Sequence, residues 1–409
     1  MNILLKNISN TYNYGSMMMA ENLITYITKK ISDVKFYIEA DTYQDVERLR
    51  IATKNNNIYC DNVLKFNLIT GKIKYIRVLE RKLRRKSHVK KASLFYDAII
   101  ILGGDDFSEV YYKFPKDNLE VKFVFEELKI FNSNSNLIMV GQTIGPYTGK
   151  RINLAKKTFK DIRIYTRDLE TKKYLKNVLG TDSFESRDLA FLDLNLQKEY
   201  LKNKVKILGK YNLEENNYIT VVGTGLLSNY SKNPEEMVDA FYNLIKRLIK
   251  EKYNVVCLAH VFTKNGIDDN ILYKKIDKKY NNFISNNCIL IDKPILPVEA
   301  RIILGLGKFT ITCRMHAAVS TFQMGHPAIC ISYSKKYKGV IADGLKFPNL
   351  VLDAKQKNFW KKFESLVFDR INYIKNDSSI ESKIADSVSS SKKIVSATLD
   401  DICKHLKGE

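Results

Sequence analysis

Long apolar runs are missing from this 409-residue sequence, and none reaches the length needed to cross a bilayer. The opening segment, MNILLKNISN, is too short and too polar for a secretory signal, so a cytoplasmic location is expected. CxxC pairs and the Cys/His spacings of metal sites are also missing, and we therefore predict neither disulfides nor a bound metal. The six cysteines are Cys60, Cys257, Cys288, Cys313, Cys330 and Cys403.

Negative charge is in short supply, because 67 Lys and Arg residues stand against 45 Asp and Glu residues and give a formal net charge of +22. This balance invites a nucleic-acid interpretation, yet the sequence contains no recognised nucleic-acid motif, and we predict no nucleic-acid partner. The densest basic cluster is Arg77–Lys91. As a helix it would present a cationic face suited to an anionic membrane surface, although a solvated helix without a partner explains it at least as well.

Hydrophobic residues make up 45% of the chain, which is typical of globular proteins with real cores. At about 150 residues per domain, the length predicts two or three domains. Short apolar strands alternate with amphipathic helices, and strands without polar alternation are typical of parallel sheets buried on both faces. The predicted strands are Ile3–Leu5, Val34–Ile38, Ala98–Leu102, Leu137–Val140, Arg163–Tyr165, Ile219–Val222, Val255–Ala259, Cys288–Ile291, Phe309–Thr312 and Ile329–Ser332.

Two Rossmann-like, doubly wound parallel-sheet domains are therefore predicted, facing a central ligand cleft at the carboxyl ends of their strands. The N-terminal domain spans residues 1–195, and a polar, lysine-rich linker spans residues 196–217. The C-terminal domain spans residues 218–352, which leaves about five strands on each side of the linker. Residues 353–409 have a purely helical, polar pattern that predicts a helical C-terminal segment.

The segment Cys313-Arg314-Met315-His316 is the most informative part of the sequence. It follows an apolar strand and begins a helical run, RMHAAVSTFQMG, that ends at Gly325. A cation and an imidazole therefore lie where free backbone N–H groups and the positive end of a helix dipole converge, which predicts a site for phosphate or carboxylate. A surface cation at Arg314 beside a half-buried His316 explains the segment equally well.

Small and polar residues also follow two strands of the first half, where parallel α/β proteins place their chemistry. Gly103 and Gly104 allow a ligand to approach the backbone closely. Asp105 and Asp106 come next. They could act as a catalytic base or bind sugar hydroxyls, and the alternative is that one of them simply caps a helix. Gln142 supplies an amide at the end of the following strand.

Three further cations or imidazoles follow strands. Arg167 is either an anion ligand or a partner of Asp168 or Glu170, and Asp168 is itself a candidate helix cap. His260 follows a strand of the second half and is expected to line the cleft. Lys336 would add positive charge near Arg314, although in so basic a chain a single lysine is most often a solvated cation.

Taken together, these segments resemble the polysaccharide pyruvyl transferase family. The matching pieces are LGGDDF, VGQTIGP, YTRDLETKKYL, SRDLAFL, CRMHA and ISYSKKYKG, and they span roughly residues 98–345. The resemblance implies a two-domain fold similar to that of GT-B glycosyltransferases. It also implies transfer of a pyruvyl group from phosphoenolpyruvate, as donor substrate and without a cofactor, to two hydroxyls of a sugar. The acceptor would be a polysaccharide of the cell envelope or capsule, or its lipid-linked precursor.

The family motifs carry over residue by residue. Arg167, Arg314 and Lys336 match donor-binding positions, and phosphoenolpyruvate needs such cations for its carboxylate and phosphate. His316 matches the histidine of the same motif as Arg314 and is a plausible general acid, with Asp105 or Asp106 accepting the sugar hydroxyl proton. The resemblance implies a structural role for Asp188. The acceptor or cleft positions are Gly103, Gly104, Gln142, Asn13 and His260.

One stretch departs from the family pattern. Members commonly carry an acidic pair after an N-terminal N-x-G, whereas here Asn13-Tyr14-Gly15 is followed by Ser16-Met17-Met18 and no acid appears before Glu21. If those acids bind the acceptor, this protein has a different acceptor or an altered activity.

Two rival interpretations remain. A glycosyltransferase that uses a nucleotide sugar would share the fold and the anion-binding helix start. It predicts an acidic residue after a strand of the second half to hold the ribose, and none is clear in the sequence. The other rival is an inactive, membrane-associated member of the family, which the basic cluster and the altered N-terminal motif favour.

Overall fold

A computed structural model describes residues 1–40, 42–64, 74–109, 119–263 and 268–409, with backbone alone for 74–84 and 119–123. The chain divides into two compact units. Unit 1 contains Met1–Thr11, Met19–Asp188 and Ser396–Glu409, and unit 2 contains Tyr12–Met18 and Leu189–Val395. Residues 196–217, expected to link two domains, carry two short helices and belong to unit 2.

The described part of unit 1 holds a seven-stranded sheet in the order β3-β2-β1-β4-β5-β6-β7, with every pair parallel. Its strands are β1 (Asn2–Lys6), β2 (Lys35–Ile38), β3 (Ile58–Cys60), β4 (Ala98–Leu102), β5 (Asn136–Gln142), β6 (Arg163–Thr166) and β7 (Phe184–Glu185).

The described part of unit 2 holds a six-stranded parallel sheet in the order β10-β9-β8-β11-β12-β13. Its strands are β8 (Ile219–Val222), β9 (Val255–Leu258), β10 (Ile289–Ile291), β11 (Thr310–Thr312), β12 (Ala328–Ser332) and β13 (Val351–Asp353).

Helices separate the strands throughout. They are α1 (Tyr14–Lys30), α2 (Tyr43–Thr53), α3 (Lys74–Phe95), α4 (Leu119–Asn134), α5 (Lys150–Phe159), α6 (Leu169–Tyr174), α7 (Gln197–Lys202), α8 (Lys204–Gly209), α9 (Leu227–Tyr230), α10 (Pro234–Lys250), α11 (Asn270–Lys279), α12 (Phe283–Asn287), α13 (Pro297–Gly305), α14 (Met315–Gln323), α15 (Lys335–Tyr337), α16 (Phe359–Asn376) and α17 (Ile380–Lys407). The division between the units falls inside α1 and inside α17.

The predicted fold class is confirmed, with two parallel α/β sheets and a helical C-terminal segment. Each of the ten predicted strands is present to within two residues at either end. The strands that the sequence missed are β3, β7 and β13, which are two or three residues long and only partly buried. Such strands give no apolar run to detect, because their pairing depends on a neighbouring strand already in place.

Burial of the central strands explains the apolar runs. All five residues of β4, AIIIL, and all five of β12, AICIS, are buried. In unit 1 this layer packs against aromatic side chains, among them Phe131 and Phe159. In unit 2 the strands pack against α13 through Ile302 and Ile303. Both sheets are thus covered by helices, which holds their loops at the strand ends in fixed positions.

The C-terminal end of α17 is attached to unit 1 by a polar contact. Asp401 accepts hydrogen bonds from Arg163 Nη2 at 2.6 Å and from the Tyr165 hydroxyl at 2.5 Å. Burial and the hydrogen bond to Asp401 raise the pKa of Tyr165, so its hydroxyl stays a donor. The predicted helical segment therefore ends in a specific contact with strand β6.

The basic cluster Arg77–Lys91 lies on α3, but the side chains of residues 77–84 lie outside the described residues. Of the remainder, Arg85 pairs with Glu127 at 2.5 Å, while Lys86, Lys90 and Lys91 are exposed. No helix in the described part of the chain combines the length and the apolar character needed to cross a bilayer. All six cysteines lie in the described ranges as free thiols.

Candidate functional site

Arg314 and His316 lie where the sequence predicted them, at the passage from a strand into a helix. Arg314 is the N-cap residue of α14, with an extended backbone that follows β11 directly. Its N–H donates to Thr312 Oγ1 at 2.8 Å, and the same hydroxyl donates to Arg314 O at 3.0 Å. This local pair of bonds fixes the turn into a nine-residue helix, with Arg314 at its N-cap and His316 in its first turn.

A buried carboxylate that the sequence did not single out organises this turn. Asp269 has no exposed side-chain surface and accepts from Arg314 Nε at 3.0 Å and Arg314 Nη2 at 2.5 Å. It also accepts backbone N–H bonds from Gly225 at 3.2 Å, His260 at 3.1 Å and Val261 at 2.9 Å. One side chain therefore ties the loops after β8, β9 and β11 together. The Asp268-Asp269 doublet before α11 was the only signal in the sequence.

Arg314 keeps its positive charge beside Asp269. Burial alone would lower the pKa of Arg314, but the charge of Asp269 and its hydrogen bonds raise it above the usual value. A guanidinium held through two of its nitrogens keeps one orientation and presents its remaining N–H groups in a fixed direction. This arrangement suits a planar oxyanion such as a carboxylate or a phosphate face.

Three tyrosines lie between Lys336 and Cys313, the residue before Arg314. The hydroxyls of Tyr230 and Tyr337 both donate to Cys313 O, the second at 2.5 Å. Burial raises the pKa of both tyrosines well above the usual value, so they remain neutral donors. Lys336 Nζ donates to the Tyr333 hydroxyl at 3.2 Å and lies 5.2 Å from the centre of that ring. Lys336, which the sequence predicted as a cation of the site, thus belongs to the same unit as Arg314 and is oriented by aromatic neighbours.

His260 and Asn13 also lie in unit 2. His260 is 2% exposed, and its ring centre lies 5.1 Å from that of Tyr14. Burial first, and then the positive fields of His316, Arg314 and Arg301, lower the pKa of His260 well below the usual value. Asn13 forms an antiparallel bridge with Val261. His260 is therefore a neutral, buried ring that supports the site.

Arg167 is the centre of a separate network in unit 1. Its side chain is 1% exposed, with Nη1 donating to Asp188 at 3.0 Å and Nε donating to Thr143 Oγ1 at 2.9 Å. Burial lowers the pKa of Arg167, but Asp188, Asp105 and Asp168 raise it above the usual value. Its counterion is Asp188, rather than the Asp168 or Glu170 that the sequence offered as alternatives.

Asp168 has the cap role that the sequence offered for it. Its carboxylate accepts from the Thr171 backbone N–H at 2.7 Å at the start of α6. It also accepts from Thr143 Oγ1 at 2.9 Å, so the helix cap and the Arg167 network share one hydroxyl.

The predicted site residues at the ends of β4 and β5 are partly packing positions and partly surface positions. Gln142 is fully buried and donates from Nε2 to Ile101 O and to Leu102 O, both at 2.9 Å. A Cβ on Gly103 would lie 2.1 Å from the carbonyl oxygen of Gly141, so a glycine is required by the close approach of two backbones. Asp105 is 9% exposed, whereas Asp106 is at the surface and accepts from Asn7 Nδ2 at 3.4 Å.

No three His, Cys, Asp or Glu side chains converge as metal ligands within the described ranges. Unit 2 holds two of the predicted cations, Arg314 and Lys336, and it places Arg314 and His316 at the N-terminus of α14. Chemically, such a set binds an oxyanion and can deliver a proton to it or to an atom next to it.

Solved structures with the same architecture show the class of fold. UDP-GlcNAc 2-epimerase from Neisseria meningitidis, bound to UDP-GlcNAc, has a TM-score of 0.62 at 10% identity, with 99% of this chain and 100% of that chain covered. A putative UDP-N-acetylglucosamine 2-epimerase from Listeria monocytogenes has a TM-score of 0.59 at 12% identity, with 100% of this chain and 97% of that chain covered. A ugt transferase from Siraitia grosvenorii in complex with UDP gives 0.58 at 9% identity, with 99% of each chain covered.

These likenesses show a GT-B-like fold, as predicted. Within that class, the chain belongs to the polysaccharide pyruvyl transferase family, whose model matches residues 13–335. The predicted family is thereby confirmed, and membership supports a transferase of polysaccharide biosynthesis.

Replacing Asp269 by alanine is expected to lower the free energy of unfolding by about 3–5 kcal/mol, because it leaves a buried guanidinium without its counterion. Urea denaturation measures this loss. Asp292→Ala, an exposed carboxylate in the same unit, is the control and should change stability by less than about 0.5 kcal/mol. A loss of under about 1 kcal/mol for Asp269→Ala would contradict the central role of the pair.

Stability is expected to fall as the pH drops below about 6.5, the ordinary pKa of histidine. Burial lowers the pKa of His260 in the folded state, so below pH 6.5 the unfolded chain binds the proton first. This contributes a slope of up to about 1.4 kcal/mol per pH unit. Urea denaturation across pH 7.5 to 5 should show a smaller slope for His260→Gln.

Proposed function

We propose that the protein transfers a pyruvyl group from phosphoenolpyruvate to two hydroxyls of a sugar in a cell-surface polysaccharide or its precursor, forms a pyruvate ketal and releases phosphate. The family supports the coarser activity of a polysaccharide pyruvyl transferase. The observation that carries the donor assignment is the position of Arg314 at the N-cap and of His316 in the first turn of α14. Lys336 lies on tyrosines of the same unit, which reach the carbonyl of Cys313.

Phosphoenolpyruvate carries two anionic groups, a carboxylate and a phosphate. Arg314 offers an oriented guanidinium for one of them, but its own charge is balanced by Asp269. Lys336 and the N-terminal N–H groups of α14 supply the positive potential for the other group. The predicted role of Arg167 in binding the donor stays a separate hypothesis. Its burial and its bond to Asp188 restrict how much of the guanidinium a ligand can reach.

The proposed reaction has two additions at the same carbon. One sugar hydroxyl adds to C2 of phosphoenolpyruvate while His316 delivers a proton to the methylene carbon. Phosphate then leaves from C2, and the second hydroxyl adds there and loses its proton. Asp105 or Asp106, which the sequence offered as acceptors of the hydroxyl proton, belong to unit 1 and stay a separate hypothesis; Asp106 is the exposed one. Arg314, Lys336 and the helix N-terminus would neutralise the leaving phosphate, so the proposal includes no cofactor.

A nucleotide-sugar glycosyltransferase is the second candidate, since structures with this fold are described with UDP-GlcNAc or UDP. That function needs an acidic residue after a strand of the second half to hold a ribose. Asp269 is an acid at such a position, but it is fully buried and engaged by Arg314 and three backbone N–H groups. The geometry therefore favours an anion site over a ribose site.

Calorimetric titration with phosphoenolpyruvate, UDP, GDP and CMP separates the two candidates. We expect saturable binding of phosphoenolpyruvate, weakened roughly tenfold or more in Lys336→Ala through loss of a charge-assisted bond. Lys335→Ala, its exposed neighbour, is the matched control and should bind as the wild type does. His316→Ala should bind the donor yet release no phosphate when a sugar acceptor is present.

Nucleotide binding without phosphoenolpyruvate binding would transfer the assignment to glycosyl transfer. If none of the four ligands binds, the result would favour an inactive family member. Arg314→Ala completes the series, with its unfolding curve measured in parallel, because the variant leaves Asp269 unpaired.

We also propose that the cationic face of α3 contacts an anionic membrane surface where a lipid-linked acceptor would be found. Three exposed lysines of the described part, Lys86, Lys90 and Lys91, support this. Changing all three to serine should weaken binding to phosphatidylserine vesicles by about 1 kcal/mol per lysine. A second triple variant on α16 and the turn before it, Lys357, Lys361 and Lys362 to serine, is the control. Equal vesicle binding by both variants would reject the surface.

A further inference from the structure

The stretch Tyr12–Met18 belongs to unit 2, although most of the sequence around it belongs to unit 1. It is attached by backbone contacts. Asn13 bridges Val261, the Phe262 N–H donates to Tyr12 O at 3.1 Å, and the Tyr14 N–H donates to His260 O at 3.3 Å. The first turn of α1 is therefore anchored beside the loop that follows β9.

The side chain of Tyr14 secures the same turn. Its hydroxyl accepts from the Ile295 N–H at 2.8 Å, and its ring packs edge-on against His260. Tyr14 is fully buried. The backbone that leads into the next residue, Gly15, is thus held by both main-chain and side-chain contacts and has little freedom to move away from a neighbour.

That neighbour is the imidazole of His316. A Cβ on Gly15 would lie 2.1 Å from Nδ1, 2.5 Å from Cγ and 2.8 Å from Cε1 of the ring. These distances are far below a van der Waals contact. A side chain at position 15 and the observed orientation of His316 therefore exclude each other.

We propose that Gly15 is a positioning residue for His316, and that the Asn13-Tyr14-Gly15 segment serves the His316 site. The catalytic part of this inference rests on the proposed function, in which His316 delivers the proton. The glycine lets the first turn of α1 form one wall behind the imidazole, and this wall sets the direction of the ring. The sequence had assigned Asn13 to the acceptor or cleft side instead.

The presence of glycine at position 15, rather than a residue with a side chain, supports this positioning role. Gly15 lies in the first turn of a helix, where alanine would normally be the better residue. The clash that alanine would create is with a ring at the end of a side chain, which can turn away, while the anchored backbone cannot. Gly15→Ala is therefore expected to move His316 rather than to unfold the protein.

A double-mutant cycle tests this with wild type, Gly15→Ala, His316→Ala and the double variant. Three quantities are measured for each: phosphate release from phosphoenolpyruvate with an acceptor sugar, the urea midpoint of unfolding, and the imidazole 15N resonances of the five histidines. His316→Ala assigns the His316 signal. Gly209→Ala is the matched control, because a Cβ at that helical glycine of unit 2 would meet no atom within 4 Å.

In Gly15→Ala we expect the His316 resonances to shift and turnover to fall roughly a hundredfold or more, the usual contribution of a general acid. The urea midpoint should change little. In the His316→Ala background the same substitution should cost no further turnover and should not lower the midpoint, since the ring it would meet is gone.

Unchanged His316 resonances in Gly15→Ala would overturn the proposal. An equal fall of the urea midpoint with and without His316 would also overturn it, because Gly15 would then serve packing alone. If the resonances shift but the wild type does not turn over phosphoenolpyruvate, the positioning role stands and the proposed reaction fails.

Discussion

The loops at the carboxyl edge of the unit 2 sheet depend on the ion pair between Arg314 and the fully buried Asp269. The carboxylate accepts from two guanidinium nitrogens and from three backbone N–H groups, so it satisfies donors on three different loops at once. A charge that is fully removed from water is tolerable only with such a set of partners. The pair therefore fixes both the loops at the carboxyl edge of the sheet and the direction in which Arg314 faces a ligand.

Unit 1 uses the same physical device with different partners. Arg167 and Asp188 are both almost fully buried, and Thr143 connects the guanidinium to the cap of helix α6 through Asp168. In both units an arginine follows a strand and is held by an acid from another loop, which comes later in the chain in unit 1 and earlier in unit 2. The two units nevertheless differ in what surrounds the arginine. In unit 2 a histidine follows in the first turn of the same helix and a lysine lies over tyrosine rings, whereas α6 after Arg167 contains no histidine.

The long strands were predictable because their apolar runs are local, and β4 and β12 need no partner to be recognised. The position of Arg314 and His316 was predictable for the same reason, since a strand, a cation and a helical run follow one another in sequence. Asp269 was not, because it lies 45 residues before Arg314 and its own neighbours give no sign of burial. The two-residue strand β7 was missed because its pairing with β6 is decided by a neighbour.

By itself, the sequence determined the parallel α/β architecture, the family and the identity of the residues at the strand ends. These follow from hydrophobic periodicity and from motifs that are contiguous along the chain. Only the tertiary structure decided which acid neutralises each arginine, and that the Asn13-Tyr14-Gly15 turn lies against His316 in unit 2. Such contacts are decided by distances between segments far apart in the chain. A missing Cβ, above all, has consequences only once its spatial neighbour is known.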